Sequence, residues 1–321
     1  MLDLNALNMY ETGIVVDKIF LEYMYFVATA SLDNIENCMK RNLENIRTQN
    51  MRYYTDVLKC YNDYKYWGEI KPENNIFELI ENRSKALKEH YNDLLWLYGR
   101  LCDYRSKRTL FGIVENWLTF SLVSLDRIME RTFHHYFDLD VIKCDANEVF
   151  VDLGAYVGDT VNDYLSSYSG YKKIYCYEIV PHIFQKLKQN LKHLSNVEFC
   201  LKGAGDKNGI MYVTDEETAD SMHKLSDSGQ VEVQVVKLDD DITEPVSFIK
   251  MDIEGGEQNA ILGCKNHIKA THPKLAISVY HNNEDIWKCA RMIDEIDPSY
   301  KFYLRYSGGI YFASEYVLLG V

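Results

Sequence analysis

Proline is scarce in this sequence, five residues in 321, and the 17 glycines follow no period. Collagen-like and proline-rich disordered chains are excluded. The eight cysteines (Cys38, Cys60, Cys102, Cys144, Cys176, Cys200, Cys264 and Cys289) form no C-x-x-C pair. That spacing suits neither a zinc cage nor a compact disulfide framework, and the cysteines read as reduced thiols in a cytoplasmic protein. Long apolar runs are missing too. The longest early one, Tyr23 to Leu32, is too short for a bilayer, and the first residues, MLDLNALNMYETG, lack the basic and apolar regions of a signal peptide, so no membrane partner is expected. Positive charge is in deficit: 35 Lys and Arg against 48 Asp and Glu leave a formal charge of -13. Such a field repels phosphodiester backbones, and nucleic acid is not an expected partner. What is present, 47% hydrophobic and 26% charged residues, is the composition of a folded protein, with length for two domains at roughly 150 residues each.

From about residue 14 to 137 the periodicity is helical. The clearest stripe, Ile76, Ile80, Leu87, Leu94, Leu95, Tyr98 and Leu101, predicts one long amphipathic helix among four or five. The aromatic run Tyr53, Tyr54, Tyr61, Tyr64, Tyr66, Trp67 reads as helix core and rim rather than as a substrate platform. Near Glu148 the signal changes to short apolar runs alternating with helical stretches, the mark of βαβ units and a parallel sheet. Strands are expected at 149–153, 173–178, 197–202, 247–251, 275–280, 302–306 and 316–320. A β-ribbon, 209–214 against 231–238, should enclose a polar loop from Asp215 to Gly229. The chain is thus expected to divide into a helical domain, 1–145, and an α/β domain, 146–321.

Val149 to Thr160, VFVDLGAYVGDT, carries an apolar strand into a glycine-bearing turn that opens a helix. Gly154 and Gly158 remove side chains where a ligand must approach the backbone, and the helix start offers free N–H groups. The spacing is G-x-x-x-G, not the G-x-G-x-x-G of a dinucleotide site. Asp152, just inside the strand end, can face a cationic or amine group, and Glu178 at the next strand tip can accept ribose hydroxyls. Together they describe a cationic, ribose-bearing ligand with an amino-acid tail, which S-adenosylmethionine matches.

Phe248 to Glu257, FIKMDIEGGE, followed by AILG at 260–263 and PKLAISVYH at 273–281, resembles the FkbM family of S-adenosylmethionine-dependent methyltransferases. The likeness extends to the loop at 151–160 and to the closing segments at 303–306 and 315–318, hence to residues 148–321, and leaves the helical part uncovered. Two departures stand out: Ile179 rather than proline follows the ribose-binding acid, with proline at Pro181, and Cys264 replaces a common alanine. The resemblance implies a class I methyltransferase fold, a Rossmann-like seven-stranded sheet ending in an antiparallel strand. Cofactor contacts would come from Asp152, Gly154, Ala155, Tyr156, Gly158, Thr160 and Glu178, from Ala204, Gly205 and Asp206 around the adenine, and from Asp252.

The expected reaction is methylation of a hydroxyl on a small molecule such as a sugar or glycan precursor. Asp252 and His281, each following a strand at the same sheet edge, would be catalytic, His281 being the better proton acceptor at neutral pH. Lys250 is expected to pair with a carboxylate, and Glu254 and Glu257 to favour a helix start. A divalent ion held by Asp252, Glu254, Glu257 and His281 is the less favoured alternative; no metal is expected. The helical domain would cover the substrate or form a homodimer surface. Two rivals remain, a nicotinamide-dependent oxidoreductase, disfavoured by the loop spacing and Asp152, and a scaffold that keeps the fold without chemistry.

Overall fold

The computed structural model describes residues 14–213, 225, 226, 229 and 231–321; most of the polar loop at 215–229 lies outside them. Six helices come first: α1 (Val15–Thr29), α2 (Leu32–Gln49), α3 (Met51–Tyr64), α4 (Glu78–Arg100), α5 (Tyr104–Thr119) and α6 (Leu122–Asp126). The alternating part follows as β1 (Val149–Leu153), α7 (Asp159–Ser167), β2 (Lys173–Tyr177), α8 (Pro181–Leu191), β3 (Val197–Cys200), β4 (Gly203–Ala204), β5 (Gly209–Val213), β6 (Val231–Val236), α9 (Leu238–Asp241), β7 (Phe248–Met251), α10 (Glu257–Gly263), α11 (Lys265–Thr271), β8 (Lys274–Ser278), α12 (Asp285–Ile296), β9 (Phe302–Tyr306) and β10 (Tyr316–Gly320).

Seven strands form one sheet in the order β3-β2-β1-β7-β8-β10-β9. β3, β2, β1, β7 and β8 run parallel, and β10 enters antiparallel beside β8. This is the mixed α/β architecture the sequence predicts. Parallel strands buried on both faces read as continuous apolar runs, and β1 is buried at all five positions, its lone acid included. The strand order reverses between β1 and β7, so the crevice outside their carboxyl ends is where such sheets bind ligands. A second, three-stranded sheet, β4-β6-β5, contains the expected ribbon.

The chain forms two compact units that interleave rather than meet at one cut. Residues 1–130, 280–287 and 303–316 make the first, and residues 131–279, 288–302 and 317–321 the second. In the first unit, α4 buries Ile80, Leu87, Leu94, Leu95 and Tyr98 of the expected stripe together with Leu79 and Leu97, but Ile76 precedes the helix, Leu101 caps it, and His90 leaves helical geometry, so the one long helix is kinked. Phe20 of α1 stacks on Tyr98 at 4.1 Å. Asp103 caps α5 through the Ser106 N–H (2.7 Å) and pairs with the buried Arg305 at 2.7 Å. Of the tyrosine-rich segment, Tyr53, Tyr54, Tyr61 and Trp67 are buried and Tyr64 is exposed, the core-and-rim pattern expected. In the second unit Phe137, Phe150, Tyr164 and Phe248 form an aromatic core, with Phe150 stacked on Tyr164 at 5.0 Å. No helix among the described residues is long and apolar enough to cross a membrane.

Candidate active site at the strand tips

The end of β1 is built around a buried ion pair. Asp152 and Lys250 are register partners on β1 and β7, and Lys250 Nζ lies 3.0 Å from Asp152 Oδ1 with both side chains out of water. Lys250 Nζ also donates to the carbonyl of Gly154 at 2.8 Å. Burial pushes the Asp152 carboxyl up to about 6 while Lys250 pulls it down. For Lys250, burial acts to lower the pKa, but Asp152 and Asp252 carry it above the ordinary lysine value, so the ammonium stays charged. Lys250 thus takes the structural pairing role its position suggested. Asp152 Oδ2, also buried, accepts no hydrogen bond among the described residues.

Past β1 the chain turns with Gly154 at φ +79° and Gly158 at φ +89°. Their lack of a side chain answers to protein neighbours as well as to any ligand. A Cβ on Gly154 would lie 1.8 Å from the Asp252 carbonyl oxygen, and one on Gly158 would run into Leu191. Between them Ala155 is buried and Tyr156 also holds a positive φ, +47°. Thr160 sits buried in the first turn of α7.

Glu178 follows β2, is nearly buried, and gathers the loops around it. Its Oε1 accepts from the N–H groups of Ile179 (2.7 Å) and Val180 (2.8 Å), and its Oε2 from Tyr156 N–H (3.0 Å). Burial raises the Glu178 carboxyl, against these three donors, which favour its charge. A carboxylate has about four lone-pair sites, so one on Oε2 is left for a ligand hydroxyl. The departure from the family pattern has a consequence here: a proline at 179 could give no N–H to Glu178. Pro181 instead begins α8, where its fixed φ suits the first helical position.

Asp252 follows β7 directly, and its Oδ2 accepts from the Tyr136 hydroxyl at 2.6 Å. Tyr136 also has Ser278 Oγ at 3.4 Å, and the Lys250 ammonium lies 5.0 Å from its ring centroid. Sequence reasoning missed Tyr136. It lies in the segment between α6 and β1, without a motif, and only folding brings it to the strand tips.

Ala204 and Gly205 are buried and Asp206 is exposed; a Cβ on Gly205 would come within 2.7 Å of a Val235 methyl, so that glycine also makes room for β6. Glu254 adopts φ +57° beside Gly255 at φ +98°. Glu257 is buried in the first turn of α10 and accepts from the Ile253 N–H at 2.9 Å, a helix-start role. His281 belongs to the first unit, three residues past β8 in the chain. It is fully buried, with the Tyr66 ring edge-on at 5.2 Å, and Trp67 Nε1–H donates to the preceding carbonyl, of Tyr280, at 2.9 Å.

Residues 152–306 match the model of the methyltransferase FkbM domain. This stretch belongs to the FkbM methyltransferase family. The FkbM match begins at Asp152 itself and takes in Glu178, Lys250, Asp252 and His281. Among solved structures, methyltransferase FkbM from Methylobacillus flagellatus KT superposes with a TM-score of 0.63 at 24% identity, over 74% of this chain and 62% of that one, a likeness of fold. The chain therefore spans less than two thirds of that protein's length. An rRNA methylase from Streptococcus thermophilus (TM-score 0.38, 16% identity, 58% of this chain and 92% of that one) is more distant. So is Aeropyrum pernix fibrillarin in complex with S-adenosyl-L-methionine (0.37, 10%, 58% and 73%). No curated protein matches the chain.

Proposed function

We propose that this chain is an S-adenosylmethionine-dependent methyltransferase that methylates a hydroxyl of a small molecule such as a sugar or glycan precursor. The observation that carries the reading is the pair of buried acids at the tips of β1 and β2, next to the point where the strand order reverses. Among the described residues, Asp152 keeps an oxygen without a hydrogen bond and Glu178 keeps one lone pair, an acceptor set suited to a cationic, hydroxylated ligand. A pyrophosphate would meet two buried carboxylates there and be repelled, which disfavours a dinucleotide.

When bound, the cofactor supplies an activated methyl group. The protein's part is to hold the ligand at Asp152 and Glu178, align the acceptor and remove the hydroxyl proton. Asp252 and His281 are the groups proposed for that proton. The helical unit is proposed to select the acceptor or to form a dimer surface. Thermal unfolding with S-adenosylhomocysteine, NAD or buffer tests the cofactor class, and turnover over a panel of hydroxylated sugars tests the chemistry. A shift with S-adenosylhomocysteine alone is expected; its absence at saturating ligand overturns the reading.

A further inference from the structure

Two carboxylates and one ammonium share the ends of β1 and β7, and the way they are sorted defines a role for a residue outside the family's motif. Lys250 lies on β7, and Asp252 directly follows that strand. Lys250 feels the charge of both Asp152 and Asp252. If Asp252 turned to Lys250 as Asp152 does, its charge would be spent inside the protein. In the structure Lys250 Nζ lies 3.0 Å from Asp152, whereas Asp252 Oδ2 takes the Tyr136 hydroxyl at 2.6 Å. The same tyrosine ring lies over Lys250 at 5.0 Å, a cation–π distance. Tyr136 is itself buried and its ring stacks on His135 at 4.2 Å, which holds the ring, and with it the hydroxyl oxygen, in place.

We propose that Tyr136 is a positioning residue that holds the Asp252 carboxylate at the end of β7 for the cationic centre of the cofactor, while its ring keeps Lys250 with Asp152. This rests on the cofactor reading above. Replacing the hydroxyl alone separates the two halves of the role, because phenylalanine keeps the ring over Lys250 and removes only the bond to Asp252.

A pair of ligands reads this out without an acceptor. Sinefungin carries an amine where S-adenosylmethionine has its methyl group, so it places positive charge there, and S-adenosylhomocysteine is uncharged at that place. Calorimetry should show the wild-type protein preferring sinefungin by about tenfold, the order of one well-placed charge pair. Tyr136→Phe should lose that preference while binding S-adenosylhomocysteine within about twofold of wild type; Asp252→Asn should lose the preference too, whatever its effect on S-adenosylhomocysteine, and the double variant should show no further loss of preference. A wild-type preference kept in Tyr136→Phe overturns the proposal, as does the absence of any preference in wild type. Equal loss of both ligands in Tyr136→Phe would show a merely structural tyrosine and also overturns it. Failure of wild type to bind S-adenosylhomocysteine is a different result: it removes the cofactor reading and this inference with it.

Discussion

Exchanging Lys250 for Met should destabilise the protein in a manner set by pH. The ammonium and the Asp152 carboxylate are both buried and 3.0 Å apart, so removing one leaves the other as an unpaired buried charge, at a cost of about 3–5 kcal/mol. Burial has already raised Asp152 to about 6 with Lys250 present. An aspartate in the unfolded chain titrates near ~3.9, so the native state holds this proton more tightly than the unfolded state does. The stability Asp152 contributes is thus complete below about pH 4 and is lost as pH rises through about 6. Without Lys250 the folded-state pKa climbs further, and the loss continues to higher pH. The variant should therefore trail wild type by about 3–5 kcal/mol at pH 8. At pH 5, where Asp152 can stay neutral, the gap should shrink to about 1 kcal/mol, the worth of the hydrogen bond from Lys250 to the Gly154 carbonyl. Urea unfolding followed by tryptophan fluorescence at the two pH values measures both gaps. Equal gaps, or one below about 1 kcal/mol at pH 8, would refute the placement of this pair as a desolvated charge couple. Adding Asp152→Asn to Lys250→Met should recover part of the loss, because the residual charge is then gone.

Glu178→Ala should weaken S-adenosylhomocysteine binding by about one to two orders of magnitude, since a charge-assisted bond is lost and the Tyr156 and Ile179 loops lose their common acceptor; calorimetry showing an unchanged dissociation constant would contradict this. His281→Ala should lower turnover by roughly 10²–10⁴-fold with cofactor affinity nearly intact, and a chelator should leave wild-type activity unchanged. Activity abolished by chelator and restored by Mg²⁺ would instead favour the ion-binding alternative, with Asp252 and Glu254 essential. Thiol titration of the denatured, unreduced protein should count all eight cysteines, which are free in the structure; a substantially lower count would show bridging or blocking.

The sheet was legible because its central strands are buried on both faces and mostly apolar; β1, β9 and β10 have the bounds their sequences predict. The FkbM block was legible because a short chain segment holds Lys250, Asp252, Glu254 and Glu257 together whatever the rest does. Local sequence also favoured a helix start for Glu257, which accepts from the Ile253 N–H there. Yet Asp239 and Asp241 hold other elements in place: Asp239 caps α11 through the N–H groups of Asn266 and His267, and Asp241 pairs with Lys202. Such roles depend on partners 27 or more residues away, and periodicity carries no information about them. The same limit hid Tyr136, 116 residues from Asp252, and the reason for Gly154, whose missing side chain answers to the Asp252 carbonyl just past the neighbouring strand. It also hid the interleaving of segments 280–287 and 303–316 with the helical unit. Sequence determined which groups end each strand, because alternation and burial are local. Which of them meet was decided by the register of β1 against β7 and by the chain's return through Tyr136, since hydrogen bonds and ion pairs form only between atoms that the tertiary fold brings within reach.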